Sequence, residues 1–425
     1  MNNDIIHGLW ADTAPAPPAL SSFKGEREID IAIIGGGYTG LSAALHLAEQ
    51  GTDTILLEAE YIGFGGAGRN VGLVNAGLWL MPDDVVKIIG SEYGERLIEA
   101  LGNSPDLVFD LIEKHGIACE AIQKGTLHCA HSPGGFKALK QRESQWKKRK
   151  APVRLLSREE AEPKIGSSAF HGALLDLRAG TVQPLAYAHG LAHAAKKAGA
   201  DLFVKSPVMK VEQKDKKWKI TTLDGTVTAN AVVQACQGYA GHGFTENMKT
   251  LIPFNFFQFA TSPLPEKIRK TILPEGQGAW DTSMILSSYR LDAAGRLLVG
   301  SVGSVDGFSH GLHKKWAKRT IHKVFPQVND VRLEYGWFGT IAMTVNHVPR
   351  FHVFGENYIS VTSYNGRGIG PGTLFGKLMA EYLLNDSHDN IPFPVSKQKE
   401  VITRGVRGFV YEAGARAYHF IQRRL

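Results

Sequence analysis

A cluster of glycines near the N-terminus has the spacing of a phosphate-binding turn. Residues 35–40 (GGGYTG) match the pattern GxGxxG, directly after an apolar run and before a helical one. Gly35 permits a tight turn, Gly37 lets the backbone approach a pyrophosphate, and Gly40 lets the helix pack against the strand. Glu58, eighteen residues past Gly40, can accept hydrogen bonds from a ribose 2′-hydroxyl and would repel a 2′-phosphate. The pattern therefore predicts a dinucleotide site.

Two further glycine-rich stretches narrow the choice of dinucleotide. Residues 63–72 (GFGGAGRNVG) follow Glu58 almost at once, and residues 364–373 (YNGRGIGPGT) precede a predicted helix over residues 374–384. A second backbone loop can contact a flavin dinucleotide, because the ribityl and isoalloxazine portion of that cofactor extends beyond the pyrophosphate. These stretches therefore favour FAD over a nicotinamide dinucleotide.

The secondary-structure pattern places the first motif between a strand and a helix. Residues 29–34 (IDIAII) form an apolar run typical of a strand that is buried on both faces. Residues 41–50 carry apolar side chains at helical spacing, and residues 54–57 form a second apolar strand. Strand, helix and strand make a βαβ unit, which predicts a Rossmann-like domain.

Glycine-rich motifs of this kind lie at both ends of the chain, with different material between them. We therefore predict an α/β (α+β) fold in which a discontinuous Rossmann-like FAD-binding domain encloses an inserted sheet-and-helix substrate domain. The predicted division is an N-terminal arm (1–20), an FAD-binding domain (21–90, 150–240 and 335–425) and a substrate domain (91–149 and 241–334).

The composition excludes several classes of protein. Of 425 residues, 43% are hydrophobic and 21% are charged, which excludes an intrinsically disordered chain. No apolar run is long enough to span a bilayer, no secretory signal is visible, and the three cysteines form no CxxC, so we expect a cytoplasmic location. The basic runs fall on separate elements, and residues 128–131 (HCAH) lack a completing acid. We therefore predict neither nucleic-acid binding nor a metal site.

Several segments resemble those of a known family. Residues 63–77, 124–131, 177–184, 287–301 and 364–373 are similar to segments of gamma-glutamylputrescine oxidases, and residues 69–85 are more similar to bacterial L-pipecolate oxidases. Both belong to the D-amino acid oxidase superfamily of FAD-dependent flavoproteins, together with glycine and sarcosine oxidases. The resemblance implies a two-domain fold and hydride transfer from a substrate Cα–H to flavin N5.

The motifs and the resemblance together assign residues to FAD. The predicted cofactor-binding residues are Gly35, Gly37, Tyr38, Thr39, Gly40, Glu58, Gly66, Ala67, Gly68, Arg69, Asn70, Val71, Gly72, Leu73, Val208, Gly366, Arg367, Gly368, Ile369, Gly370, Gly372 and Thr373. Sarcosine oxidases attach flavin through a cysteine that aligns with Gly339, so we expect noncovalent FAD. Their oxygen-activating lysine aligns near Leu298, which leaves either O₂ or a membrane quinone as the electron acceptor.

Three residues are predicted to act on the substrate or on the flavin charge. Tyr289 and Arg290 precede a predicted hairpin turn in the substrate half. A planar guanidinium can hold a carboxylate through two parallel hydrogen bonds, so we predict that Arg290 anchors a substrate carboxylate and that Tyr289 shapes the pocket. An ordinary surface ion pair is the alternative for Arg290. Arg367 is predicted to stabilise negative charge on the N1/O2 side of reduced flavin.

The predicted reaction is oxidation of an amine or amino-acid C–N bond to the imine. L-Pipecolate or a similar cyclic secondary amino acid is the preferred small-molecule substrate. Gamma-glutamylputrescine or another primary amine is the alternative. A flavin-binding redox partner or structural module without turnover is the alternative of another class.

The C-terminal residues 404–425 combine basic and apolar side chains. They carry five arginines against a single acid, Glu412, and their apolar residues recur at helical spacing. A helix of this kind either docks on the body of the protein or lies in a membrane interface. Peripheral association with the inner face of a membrane is therefore the second expectation for this segment.

Overall fold

The chain folds into two eight-stranded sheets and a two-stranded one, with helices packed on the large sheets. The computed structural model describes residues 7–240, 249–385, 390–397 and 400–421. The helices are α1 (Leu9–Thr13), α2 (Tyr38–Glu49), α3 (Pro82–Ile89), α4 (Ser91–Gly102), α5 (Ser104–His115), α6 (Pro133–Lys148), α7 (Arg158–Ile165), α8 (Pro184–Ala198), α9 (Glu266–Arg269), α10 (Gly307–Val324), α11 (Ile369–Asn385) and α12 (Arg404–Ile421). The strands are β1 (Gly25–Ile34), β2 (Thr54–Leu57), β3 (Leu73–Val74), β4 (Thr126–Cys129), β5 (Val153–Leu156), β6 (Ala173–Asp176), β7 (Gly180–Thr181), β8 (Asp201–Phe203), β9 (Lys210–Lys214), β10 (Lys217–Thr221), β11 (Gly225–Gln234), β12 (Ile252–Pro263), β13 (Gly278–Asp281), β14 (Ser287–Leu291), β15 (Arg296–Val302), β16 (Leu333–Met343), β17 (Arg350–Gly355) and β18 (Tyr358–Thr362).

The first sheet contains the predicted βαβ unit. Its order is β17-β18-β11-β1-β2-β8, and β10 and β9 extend it from β11. Strands β18, β11, β1, β2 and β8 run parallel, so their carboxyl ends meet at one edge. Helix α2 starts close to the turn that follows β1. A Cβ on Gly40 would lie 1.9 Å from the carbonyl oxygen of Gly35, so this close packing requires glycine. The predicted α/β fold class is confirmed.

The second sheet is mainly antiparallel and has its own core. Its order is β16-β12-β15-β14-β13-β4-β6-β5. Helix α10 covers one face, where Trp316 and Ile321 pack in one buried cluster with Phe257 and Val299. The opposite face meets the edge of the first sheet where the parallel strands end.

Sheet membership differs from the predicted division at three strands. Strands β5 and β6 pair within the second sheet, β6 with β4 and β5 with β6, and β16 pairs there with β12. The predicted division places β5 and β6 in residues 150–240, and most of β16 in residues 335–425, of the FAD-binding domain. Pairing between strands that are distant in the chain decides which sheet a strand joins, and a local apolar pattern does not report it.

The predicted N-terminal arm is packed into the body in its described part. Residues 1–6 of the arm lie outside the described residues, and α1 follows. Leu9 and Trp10 of α1 are fully buried in one cluster with Leu298 and Trp337. Because Leu185 of α8 belongs to the same cluster, this segment packs between α8 and the second sheet. Among the described helices, none combines the length and apolarity that crossing a membrane requires.

Candidate active site

A large cavity lies between the two sheets, at the carboxyl ends of β1, β2 and β11. Its volume is about 820 Å³, which falls within the range of small-molecule sites. Ligands of parallel α/β sheets bind at this edge. The three glycine-rich stretches line one side of the cavity, and β12, β13, β14 and β16 line the other.

The first glycine-rich turn leaves room for a phosphate group. Gly37 precedes the first residue of α2, and an ideal Cβ built on it would meet a single protein atom within 4 Å, the Ala67 Cβ at 3.9 Å. A side chain on Gly37 would therefore project into the cavity, at the positive end of the α2 dipole. Gly35 has a φ of +112°, a conformation that favours glycine.

Glu58 places a half-buried carboxylate directly after β2. Its Oε2 accepts a hydrogen bond from the Gly36 amide at 2.6 Å, and its Oε1 accepts one from the Glu60 amide at 2.9 Å. Burial raises the pKa of Glu58, while the two amide bonds oppose the rise. Each carboxylate oxygen can accept a further bond, so the position suits a ribose hydroxyl, as predicted.

Donors from three parts of the chain hold the loop of residues 63–72 through its carbonyl groups. The Trp10 indole donates to the Asn70 carbonyl at 2.9 Å, and the Trp337 indole donates to the Arg69 carbonyl at 3.0 Å. Arg290 Nη1 donates to the carbonyl oxygens of Val71, Gly72 and Val182. The loop is thus fixed from behind, on the side away from the cavity.

The structure corrects the role predicted for Arg290. Its side chain is 1% exposed, its Nη1 is bonded to three carbonyl groups, and its guanidinium lies over the Trp10 ring at 5.4 Å. Arg290 is outside the described lining of the cavity. It therefore positions the loop of residues 63–72 and does not anchor a carboxylate in the cavity. Its Nη2 lies 4.0 Å from Glu120 Oε2, but the arginine is buried, so this is not the surface ion pair of the alternative.

The structure also corrects the role predicted for Tyr289, which was to shape the substrate pocket. Neighbouring side chains of a strand point to opposite faces, and Tyr289 turns into the core of the second sheet. Its ring packs against Phe170 and Phe325. Ser288, one residue earlier, lines the cavity instead. The alternation along β14 was the signal that could have separated these residues.

Arg367 is a buried cation that faces the cavity. It is 7% exposed, its Nη1 donates to the Ala76 carbonyl at 2.5 Å, and its guanidinium lies 5.4 Å from the Trp79 ring and 5.5 Å from the Trp280 ring. Its Nε has no hydrogen-bond partner among the described residues. Burial lowers the pKa of Arg367 to about 9. A buried guanidinium with an unused donor is a binding group for an anion.

The predicted cofactor residues divide into those that line the cavity and those that pack behind it. The lining residues are Gly35, Gly37, Tyr38, Thr39, Glu58, Gly66, Ala67, Arg69, Asn70, Val71, Leu73, Val208, Gly366, Arg367, Gly368 and Ile369. The residues outside the described lining are Gly40, Gly68, Gly72, Gly370, Gly372 and Thr373. A Cβ on Gly72, for example, would lie 2.1 Å from the Val182 carbonyl oxygen. Close packing, not approach to a ligand, requires glycine at that position.

Several lining residues were not predicted from the sequence. Trp79, Trp280, Ser288 and Asn75 line the cavity together with Arg367. Asn75, Trp79 and Ser288 lie in segments that carry the family resemblance but were not assigned a role, and Trp280 lies outside those segments. His347 also lines it and has a φ of +57°, which is uncommon outside glycine. Its Nδ1 has no hydrogen-bond partner in the part of the chain that is described, and burial lowers its pKa.

Gly339 and Leu298, the two positions at which the chain differs from sarcosine oxidases, lie in different parts of the structure. Gly339 lines the cavity, where an added Cβ would lie 3.1 Å from the Arg69 Cβ. Leu298 is fully buried in the cluster of Trp10 and Trp337, outside the described lining.

Cys236 lines the cavity, and burial raises the pKa of its thiol to about 12, with the neighbouring charge of Glu58 adding to the rise.

A family profile decides the classification of the chain. Residues 30–382 match the profile named DAO, FAD dependent oxidoreductase. The chain belongs to the DAO family. Its predicted resemblance to the D-amino acid oxidase superfamily is thereby confirmed.

Individual DAO-family relatives agree with this classification. The chain is 31% identical to the probable oxidoreductase OrdL of Rhizobium meliloti, over 90% of this chain and 89% of the relative. It is 30% identical to the gamma-glutamylputrescine oxidoreductase of Escherichia coli, over 84% of each chain. Glycine oxidase from Geobacillus kaustophilus superposes with a TM-score of 0.71 at 21% identity, covering 88% of this chain and all of that one. This DAO-family chain is therefore an FAD-dependent oxidoreductase that acts on amine donors.

The residues present fit FAD. Gly37 leaves space at the N-terminus of α2 for a pyrophosphate, Glu58 lies where a ribose hydroxyl is expected, and the loop of residues 63–72 continues along the cavity. Bound FAD supplies a two-electron acceptor for oxidation of the substrate.

Proposed function

We propose that this enzyme oxidises an amino acid whose carboxylate is held by Arg367, with L-pipecolate or a similar cyclic secondary amino acid as substrate. One observation carries the proposal: Arg367 lines the cavity as a buried cation, and among the described residues its Nε has no hydrogen-bond partner. Its neighbours Trp79 and Trp280 offer apolar faces against which the methylene groups of a ring can pack.

The residues around Arg367 would orient the substrate and receive its proton. Transfer of a hydride requires a neutral amine, so an ammonium substrate must first lose a proton. His347 lines the cavity, and its Nδ1 has no hydrogen-bond partner among the described residues, which makes it the proposed proton acceptor. Burial lowers its pKa, so the imidazole is a weaker base than a free histidine. Arg367 would also orient the substrate. Holding the Cα–H in a fixed position removes much of the entropic cost of the reaction.

Gamma-glutamylputrescine is the second candidate substrate. The relative from Escherichia coli is named for it and covers 84% of this chain. A gamma-glutamyl amine also carries a carboxylate, but at the end of the molecule remote from the oxidised amine. Arg367 would then bind the remote end of the substrate, and a simple amine without a carboxylate would be a poor substrate.

The proposal also includes the electron acceptor and the cellular location of the enzyme. We propose that either O₂ or a membrane quinone reoxidises the enzyme, in a cytoplasmic protein that contacts a membrane peripherally. Both alternatives follow from Leu298 at the position of the oxygen-activating lysine. Comparing the reoxidation rate in air with the rate given by a soluble quinone under anaerobiosis distinguishes them.

An anaerobic reduction screen tests the proposed substrate. The purified protein is mixed without oxygen with L-pipecolate, L-proline, gamma-glutamylputrescine and putrescine, and bleaching of the flavin absorbance is followed. We expect the fastest bleaching with L-pipecolate. Faster bleaching by gamma-glutamylputrescine selects the second candidate, and a flavin that stays oxidised with every compound would support a redox-partner module without turnover.

A further inference from the structure

The C-terminal helix α12 docks on the second sheet through one face. His419 is fully buried, with its Nε2 3.2 Å from Ser301 Oγ and its Nδ1 3.0 Å from His313 Nδ1. Its carbonyl oxygen accepts a hydrogen bond from Arg319 Nη2 at 3.0 Å. One turn earlier, Ala415 is also fully buried.

The single acid of α12 belongs to the same docked face. Glu412 Oε1 accepts hydrogen bonds from the Ser304 amide at 3.1 Å and from Ser304 Oγ at 2.8 Å. Tyr411 packs against Phe254 with ring centroids 5.5 Å apart. Gly408 allows the close approach to the strand below, since an added Cβ would lie 3.2 Å from the Pro253 carbonyl oxygen.

The opposite face of α12 is apolar and exposed. Its large side chains are Val406 (65% exposed), Phe409 (73%), Val410 (58%), Phe420 (48%) and Ile421 (57%). At about 100° per residue these side chains occupy a sector about 120° wide, on the far side of the helix from His419. We name these five residues the apolar stripe. The exposed Ala413 and Ala417 lie in the same sector between Val410 and Phe420, so the exposed apolar surface runs along the helix. A contiguous apolar surface marks an interaction site, whereas single exposed apolar residues do not.

Positive charge flanks the apolar stripe. By the same helical geometry Arg407 lies beyond one edge of the stripe and Arg416 beyond the other. Arg407 is exposed. The Arg416 side chain is 45% exposed, and its Nη2 forms an ion pair with Glu412 Oε1 at 3.2 Å. Glu412 therefore partly neutralises Arg416, and Arg407 is the stronger outward positive charge in the described part of α12. Two further arginines of the tail, Arg423 and Arg424, lie outside the described residues.

Helix α12 contacts the wall of the cavity through its docked face. Phe254, which packs against Tyr411 of that face, lines the cavity. Met284 lines the cavity too and is 90% exposed, so the cavity reaches the surface at that residue. The apolar stripe lies on the opposite face of α12, so the helix itself separates the stripe from the cavity wall.

We infer that α12 is an interfacial helix that docks the enzyme on an anionic lipid bilayer. The apolar stripe enters the boundary between headgroups and acyl chains, while Arg407 and Arg416 meet anionic headgroups. A second copy of this chain suits the surface less well, because a twofold interface would bring two sets of arginines together without an outward acid. The inference gives the quinone alternative of the proposed function a location, but vesicle binding is measured without turnover. Failure of the substrate screen would therefore leave it standing.

Vesicle co-sedimentation of the full-length, flavin-bound protein tests this inference. We expect binding to vesicles of phosphatidylcholine mixed with phosphatidylglycerol, weaker binding to phosphatidylcholine alone, and release by salt. The double variant Phe409→Ser/Val410→Ser should bind at least tenfold more weakly, because two apolar side chains no longer leave water. Arg407→Gln should lose about fivefold on the anionic vesicles only.

Leu223→Ser is the matched control for the double variant. Leu223 is 69% exposed, close to the exposure of Phe409, but it lies in the turn between β10 and β11. This variant should bind as the wild type does, and all variants should keep their flavin absorbance. Absence of wild-type binding at low salt, or equal binding by the double variant, would overturn the inference. Light scattering that shows a dimer abolished by the double variant, without vesicle binding, would assign the stripe to a second copy instead.

Discussion

Replacing Arg367 by glutamine separates a role in substrate binding from a role in flavin chemistry. Nη1 of Arg367 is held by the Ala76 carbonyl, and the buried Nε has no hydrogen-bond partner among the described residues, so the guanidinium keeps charge and donor capacity for a ligand in the cavity. A hydrogen bond to a charged group contributes about 1.5–3 kcal/mol, and burial of Arg367 limits screening by solvent. A loss of about 2 kcal/mol corresponds to a roughly 30-fold increase in the apparent Kd of the substrate.

The assay is anaerobic flavin reduction with two ligands that differ by one group. L-Pipecolate carries a carboxylate, and piperidine is the same ring without it. Arg367→Gln should raise the apparent Kd of L-pipecolate roughly 30-fold, change that of piperidine little, and leave the limiting reduction rate less affected. Arg367→Lys should recover part of the affinity, because an ammonium keeps the charge but not the planar geometry.

Arg350→Gln is the control, because Arg350 of β17 is half-buried and outside the described lining of the cavity. Its Kd for L-pipecolate should stay at the wild-type value. Equal losses for L-pipecolate and piperidine in Arg367→Gln would refute the carboxylate assignment. A lowered flavin reduction potential with an unchanged Kd would restore the role that the sequence predicts, stabilisation of charge on reduced flavin.

Three further outcomes are expected. Gly37→Val should purify folded but without flavin absorbance, because its φ of −89° suits any residue while the added side chain enters the cavity; a yellow variant would place the pyrophosphate elsewhere. Arg290→Met should weaken FAD binding at least tenfold, because carbonyl groups of the loop of residues 63–72 lose their donor, and titration with FAD should show a smaller effect on the Kd of L-pipecolate. Burial lowers the pKa of His313 to about 4 and that of His419 to about 3. Because the folded pKa values lie below the unfolded value, stability is complete above the unfolded pKa and falls as the pH drops towards 4, by up to about 1.4 kcal/mol per histidine and pH unit. Urea midpoints should show this fall, and His419→Phe should flatten it.

The dinucleotide part of the site could be predicted from the sequence because its determinants are local. The GxGxxG turn, the apolar strands on either side of it and Glu58 lie within thirty residues, and their spacing alone sets the turn, the helix start and the strand end. Residues 54–57 were predicted as a strand and are β2. The C-terminal glycine-rich stretch was found for the same reason, although α11 begins at Ile369, inside the stretch.

Only the tertiary structure decided which side chains face the cavity. Tyr289 and Arg290 were both predicted to contact the substrate. Tyr289 instead packs in the core of the second sheet, and Arg290 donates hydrogen bonds to carbonyl groups of the loop of residues 63–72. Arg367 became the anion-binding candidate because Trp79 and Trp280, far from it in the chain, surround it and leave its Nε unused. Strand pairing likewise placed β5 and β6 in the second sheet. A local pattern specifies backbone conformation and burial, whereas the partner of a polar side chain depends on which distant segments the fold brings against it.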